Sequence, residues 1–289
     1  MRLLHDSQLT IHNSQFFDLS GKIALITGGG TGIGRGIALA LARRGAHVVL
    51  VGRRPDPLLA TAAEAAALGV QALPIPLDIG DAATRRQLLP AIRAEFGGLD
   101  ILVHNAGVLA GGPLAERSAA EIDQVLQTNL TAAIDLTRLA QDELMQRRGA
   151  LVFVGSAMAF VPMPNATLYA ASKAGLHGFA QAIRYELEPA GVRVLAAYPP
   201  GTETALVRNA ECGLRNGGAA VSLRSRAMKN LRGYPLEDPV RAGERIVVAL
   251  VKGRRTLFWG GERWLIRLHG LAPRLVERAL TITRGWFVW

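Results

Sequence analysis

Short unbroken apolar runs alternate along the chain with longer stretches whose apolar positions recur every three or four residues. The runs are KIALIT (22–27), HVVLVG (47–52), VQALPIPL (70–77), LDILVH (99–104), ALVFVGS (150–156) and VRVLAAY (192–198). Runs of this length without a polar alternate read as strands buried on both faces. Pro74 and Pro76 cannot donate to a ladder, so the third strand is expected to be short. Between the runs the helical period predicts helices over 32–45, 57–68, 81–96, 118–146 and 167–189. In the first of these Ile33, Ile37, Ala40 and Leu41 share a face and Gly45 is the stop. Strand–helix alternation of this kind predicts an α/β fold, a doubly wound parallel sheet covered by helices on both sides. Ligands of such sheets sit beyond the carboxyl ends of the strands.

The pattern breaks over 199–236, a stretch rich in Gly, Arg, Asn and Ser that reads as a substrate loop or lid. A helix near 237–252 and a strand near 255–259 follow. With no repeat or low-complexity linker, residues 20–260 read as one domain, flanked by an extension at 1–19 without an assigned role and another at 261–289.

Composition narrows the function classes. The 289 residues are 49% hydrophobic and 19% charged, enough apolar material for a large core. Residues 1–20 lack the apolar segment of a secretory signal, and no apolar run reaches 18 residues. The single cysteine, Cys212, cannot make an internal disulfide, which fits a reducing compartment; a cytoplasmic location is expected. Six scattered histidines give no metal-ligand spacing, so no metal is expected. The net charge of +10 raises nucleic acid as a partner, but the basic residues form no continuous block with interleaved aromatics. No nucleic acid is therefore expected.

The first strand runs into T-G-G-G-T-G-I-G, Thr27 to Gly34, and a helix follows. A glycine turn in that setting brings backbone N–H groups and a helix N-terminus up to a pyrophosphate. The second strand ends in V-G-R-R, with Arg53 standing 19 residues after Gly34 where an acidic residue would otherwise grip a ribose hydroxyl. A guanidinium there suits a 2′-phosphate, favouring NADP(H) over NAD(H). Farther on, Y-A-A-S-K places Tyr169 and Lys173 on one helix face, four residues apart.

The spacing of Gly28, Gly32 and Gly34, then Asn105-Ala106-Gly107, then Tyr169-x-x-x-Lys173, resembles the short-chain dehydrogenase/reductase family over about residues 20 to 260. The resemblance implies a Rossmann fold and an Asn–Ser–Tyr–Lys tetrad at Asn129, Ser156, Tyr169 and Lys173. Asn129 lies 27 residues before Ser156, and Ser156 lies 13 before Tyr169. In the implied roles Tyr169 is the general acid of carbonyl reduction and the base of alcohol oxidation. Lys173 lowers its pKa and holds the nicotinamide ribose, Ser156 bonds the substrate oxygen, and Asn129 holds a water that relays protons to Lys173. The implied cofactor contacts are Gly28, Gly30, Thr31, Gly32, Ile33, Gly34, Arg53, Asp78, Ile79, Asn105, Ala106, Gly107, Tyr169, Lys173, Pro200, Gly201 and Thr202. A homodimer or homotetramer is also implied.

The run after Ser156, Ala157 to Met163, is apolar and leans toward a hydrophobic ketone or alcohol. A-Y-P-P-G-T-E-T, Ala197 to Thr204, resembles the Y-P-P-D-T-D-T of 3-ketodihydrosphingosine reductases, with Gly201 in place of the aspartate. A further, weaker similarity lies at Leu271-Ala272-Pro273. A long-chain keto-lipid is the substrate this favours. From Trp264 onward Leu265, Leu268, Leu271, Leu275, Val276, Ala279 and Leu280 recur at helical spacing, with Arg263, Arg267, Arg274 and Arg278 off the stripe and Trp286, Phe287 and Trp289 following. This fits peripheral membrane contact, and it fits packing on the domain or in an oligomer equally. A 3-oxoacyl thioester reductase, a steroid-type dehydrogenase and a non-catalytic NADP-binding regulator stay open as alternatives.

Overall fold

The computed structural model describes residues 16–202 and 237–274. Residues 1–15 of the expected extension at 1–19, 203–236 of the expected loop at 199–236 and 275–289 of the expected extension at 261–289 lie outside the described residues. Seven parallel strands form one sheet in the order β3-β2-β1-β4-β5-β6-β7. They are β1 (Ile23–Thr27), β2 (His47–Gly52), β3 (Ala72–Pro76), β4 (Ile101–His104), β5 (Ala150–Val154), β6 (Arg193–Tyr198) and β7 (Thr256–Phe258). Winding runs one way from β1 to β3 and the other way from β4 onward. The crevice between β1 and β4 is therefore the topological switch point.

Side chains alternate across a strand, and that period divides the core in two. Ala24, Ile26, Val48, Leu50, Ile101 and Val103 point to one face, under α1 (Gly32–Ala42), α2 (Pro55–Ala66) and α8 (Pro239–Val251). Leu25, Val49, Val51, Leu102, Leu151 and Phe153 point to the other. That face lies under α4 (Leu88–Phe96), α6 (Ala132–Gln146) and α7 (Thr167–Leu187). Neither face of the central strands meets water, which is why their sequences carry no polar alternate.

Pro74 and Pro76 sit on the edge strand. Val48 N–H donates to Gln71 O and Leu77 N–H donates to Gly52 O, so the odd-numbered residues face β2. By alternation the two prolines turn their missing donors to the open edge.

The stretch expected as one helix over 81–96 is two, α3 (Ala82–Arg85) and α4. Pro90, lacking an N–H, is tolerated only in a first turn, and the chain restarts the helix to put it there. The expected helix over 118–146 is likewise interrupted. α5 (Ala119–Leu126), closed at its start by a Ser118/Glu121 capping box, passes into a π turn at Gln127–Thr131 before α6 begins. Past β6 the Thr202 and Glu237 backbones pair, with Glu237 N–H donating to Gly201 O at 3.1 Å. The two ends of the expected substrate loop are thus pinned together beside the sheet. α9 (Gly260–Leu271) follows β7.

Candidate active site

The glycine turn joins β1 to α1 at the switch point. Gly28 has φ +68° and Gly32 φ +56°, conformations that side chains other than glycine resist. Gly34 is required by space. A Cβ there would lie 2.1 Å from Gly28 O and 2.4 Å from Asn105 Nδ2. Gly30 is tight for another reason, since its Cβ would meet the α2 backbone at Leu58 N, 3.1 Å away. Thr31 caps α1 without a side-chain bond, and the first turn holds no acidic residue. The helix therefore offers its leading N–H groups and its dipole to an anion. Ile33, half buried, packs against the core beneath the turn.

Asn105-Ala106-Gly107 braces this turn from β4. Asn105 Nδ2 donates to Thr27 O at 2.9 Å and to Gly28 O at 3.3 Å. The buried Thr27 hydroxyl accepts from Asn105 N–H and Ala106 N–H and donates to Val103 O. The two loops on either side of the crevice are one hydrogen-bonded unit. Thr27 was not among the expected site residues, although it opens the glycine motif.

Arg53 follows β2, exposed, and Arg54 caps α2 beside it. Among the described residues neither guanidinium takes an ion pair or a hydrogen bond. Asp78 is exposed, and its Oδ1 accepts Gly80 N–H at 2.8 Å in an Asx turn. Ile79 is buried in the second core, and its carbonyl accepts from Arg85 at 2.8 Å.

The four expected tetrad residues come from three elements. Tyr169 and Lys173, both buried, share a face of α7, with the ammonium nitrogen 5.7 Å from the phenol ring centroid. Lys173 Nζ donates to Val154 O at 2.9 Å, at the end of β5. Ser156 follows that strand in extended conformation; its hydroxyl accepts Met158 N–H at 3.2 Å and is hydrogen-bonded to the Tyr169 phenol. Asn129 lies in the π turn, buried. Its Oδ1 accepts Val108 N–H at 2.8 Å, and its Nδ2 donates to Val108 O at 2.9 Å and to Ser172 Oγ at 3.0 Å. The Ser172 hydroxyl donates in turn to Tyr169 O at 2.8 Å. Gly107 separates Asn129 from Lys173. A Cβ there would stand 3.5 Å from Asn129 Oδ1 and 3.7 Å from Lys173 Nζ. Ser172, inside the Y-A-A-S-K segment itself, is the tie that the sequence reading missed.

Burial governs the charges. It pushes the Tyr169 phenol up to about 12, against the opposing pull of the Ser156 hydrogen bond, and brings Lys173 down to about 8. The expected lowering of Tyr169 by Lys173 is not the direction found. The ammonium is bonded to Val154 O, and dehydration of the phenolate sets the direction.

Behind Ser156 the apolar run packs onto an aromatic cluster. The Phe160 ring centroid is 4.5 Å from His177, 4.8 Å from Tyr198 and 5.5 Å from Phe258. The Tyr198 hydroxyl is bonded to His177 Nδ1, and the stretch after it, Pro199 to Thr202, leads to the pinned loop. Within that stretch Thr202 Oγ1 donates to Pro200 O at 2.8 Å, while Gly201 is exposed. Sequence period alone could not have assembled this cluster, because its members come from four separate segments. Among the described residues no three His, Cys, Asp or Glu side chains are grouped to hold a metal ion.

Residues 22–213 match the short chain dehydrogenase family. The chain is 34% identical over 192 residues to the 3-oxoacyl-(acyl-carrier-protein) reductase FabG of Escherichia coli, covering 66% of this chain and 78% of that protein. It is 34% identical over 199 residues to a hydroxynaphthalene reductase of Aspergillus fumigatus, covering 68% and 72%. The structure matches a short-chain dehydrogenase from Sphingobium yanoikuyae in complex with NADPH, with TM-score 0.72 and 26% identity over 89% of this chain and 95% of that one.

Proposed function

This chain belongs to the short-chain dehydrogenase/reductase family, and from that footing we propose that it is an NADP(H)-dependent reductase of hydrophobic ketones. Membership makes it an oxidoreductase acting on C=O and CH–OH groups with a nicotinamide cofactor. The preference for NADP(H) rests on Arg53 and Arg54, two guanidinium groups without partners among the described residues at the end of β2. The NADPH in the Sphingobium yanoikuyae relative supports the same choice. The crevice between β1 and β4 fits such a cofactor. Its turn has no room for a Cβ at Gly34, its helix end is uncapped by side chains, and Asp78 keeps one carboxylate oxygen free.

The observation that carries the reaction is the buried phenol of Tyr169 beside Ser156, with Lys173 one turn along the same helix. The cofactor supplies the hydride when bound. The remaining chemistry belongs to this chain. Ser156 holds the carbonyl oxygen, and Tyr169 gives it a proton as negative charge develops. A phenol at about 12 keeps its proton at neutral pH, and an alkoxide is the stronger base, so transfer runs downhill in the direction of reduction. Acting as a base toward an alcohol would require Tyr169 to ionise first, which burial opposes. Lys173, near 8, carries its proton at neutral pH and is close to releasing it, the right poise for reprotonating the site. The Asn129 amide is engaged by Val108 and Ser172, so its part is to fix the π turn against α7.

The substrate side favours an apolar ketone. Ala157 to Phe160 and the aromatic cluster behind them contain no charged group. A long-chain keto-lipid fits this lining and the P-P-G-T segment. A 3-oxoacyl thioester is the second reading, favoured by likeness to the Escherichia coli reductase. Assembly as a dimer or tetramer is supported by exposed apolar groups on α6 and α7, Ile134 and Tyr185. The test is NADPH consumption over long-chain amino ketones, 3-oxoacyl thioesters, steroid ketones and small aliphatic ketones. Turnover rising with apolar length supports the reading. Turnover confined to small or anionic ketones overturns it.

A further inference from the structure

α9 begins directly after β7, at the carboxyl edge of the sheet that also carries the glycine turn, Asn105, Ser156 and Pro200. Three of its apolar side chains are left uncovered by the domain: Trp264 is 70% exposed, Leu268 45% and Leu271 87%. At about 100° per residue the three fall within an arc of about 60°. Arginines line the flank of that arc. Arg267 places its guanidinium 5.4 Å from the centre of the Trp264 ring, Arg263 is exposed farther round, and Arg274 is exposed just past the helix. Among the described residues none of the three forms an ion pair. The sequence that follows adds Arg278, Arg284, Trp286, Phe287 and Trp289.

We propose that this face of α9 docks on an anionic lipid bilayer. The apolar arc would enter the boundary between headgroups and acyl chains, with Trp264 at the level where indole rings settle. The arginines would reach the lipid phosphates, their stems lying along the apolar surface. Charge decides against a second copy of this chain as the occupant. A two-fold pairing sets a patch against itself, so Arg263 and Arg267 would face their own counterparts, with no acid among the described side chains of α9 to match them. A phosphate-bearing surface supplies the matching sign. Docking there would bring the carboxyl edge of the sheet, and so the site, close to ketones dissolved in the membrane. That last consequence rests on the hydrophobic-ketone reading; the docking itself does not.

The experiment is co-sedimentation of the full chain with phosphatidylcholine vesicles, with and without about one third phosphatidylserine, in the absence of any ketone. Partition onto the anionic vesicles should be at least about tenfold stronger and should weaken steeply as salt rises. Leu268→Glu with Leu271→Glu should reduce it at least about tenfold, and Arg263→Gln or Arg267→Gln about fivefold each. These side chains are exposed, so the variants should fold and keep their turnover of a small soluble ketone within about twofold. Equal, weak partition onto both vesicle types would overturn the proposal. So would a double Glu variant that loses an oligomer by light scattering while its vesicle partition stays unchanged, which would assign the face to a second copy. Vesicle binding without ketone turnover would fault the substrate reading and leave the docking intact.

Discussion

Replacing Arg53 with alanine should separate the two nicotinamide cofactors. Arg53 stands at the end of β2, where the ribose of a dinucleotide lies in a fold of this topology. It makes no internal bond among the described residues, so its loss costs the fold little and leaves no partner stranded. A guanidinium can grip a phosphate through two parallel hydrogen bonds, and a hydrogen bond to a charged group is worth about 1.5 to 3 kcal/mol in a shielded site. Arg53 is exposed and salt screens it, so the lower end applies to the pair together, about a tenfold loss in affinity. NADH lacks the 2′-phosphate and should bind Arg53→Ala as it binds the native chain, within about twofold. Fluorescence titration of both cofactors reads the two constants. Changing Arg54 as well should deepen the loss for NADPH alone, and raising the salt should narrow the native preference. Equal weakening for NADPH and NADH, or no change for either, would refute the assignment of the arginine pair to the 2′-phosphate.

Two further substitutions test the frame around the site. Gly34→Ala would set a methyl group within 2.1 Å of Gly28 O, forcing the turn open; NADPH affinity should fall at least about tenfold while circular dichroism stays native. His104 is buried and neutral, pushed down to about 3 by dehydration, with Nε2 bonded to Thr137. A histidine in the unfolded chain protonates near 6.5. The unfolded state therefore binds a proton that the fold refuses, and stability present above about pH 6.5 drains away toward pH 3. The slope reaches about 1.4 kcal/mol per pH unit, so about 2 to 3 kcal/mol should be lost between about pH 6.5 and 4.5. Urea titrations at several pH values should show a shallower decline for His104→Asn; parallel declines would mean that other groups carry the acid lability.

The architecture was legible because the strands are buried on both faces. KIALIT and HVVLVG carry no polar alternate, and β1 and β2 are paired interior strands of the sheet. Hydrophobic period is blind where the helix continues but its geometry changes. Nothing in residue spacing marks Gln127–Thr131 as a π turn, because the buried Val125, Asn129, Ala132 and Leu136 recur every three or four residues as in an ordinary helix. Pro90 did carry a signal for the break between α3 and α4, since proline belongs in a first turn. The candidate site was drawn from the residue types and order of Gly28, Asn105, Ser156, Tyr169 and Lys173. Its supports were not legible there. Thr27, Ser172 and Val108 act through hydrogen bonds between segments far apart in the chain. The direction of the Tyr169 shift was misread because a neighbouring lysine is visible in the sequence and the depth of burial is not.

The central claim is that Tyr169 delivers the proton in carbonyl reduction. It is tested most directly by NADPH oxidation with a hydrophobic ketone, comparing the native chain with Tyr169→Phe at neutral pH. Phenylalanine fills the same space without the donor. The account predicts a fall in turnover of at least about a hundredfold, with NADPH affinity unchanged within about threefold. Native turnover in Tyr169→Phe would contradict it.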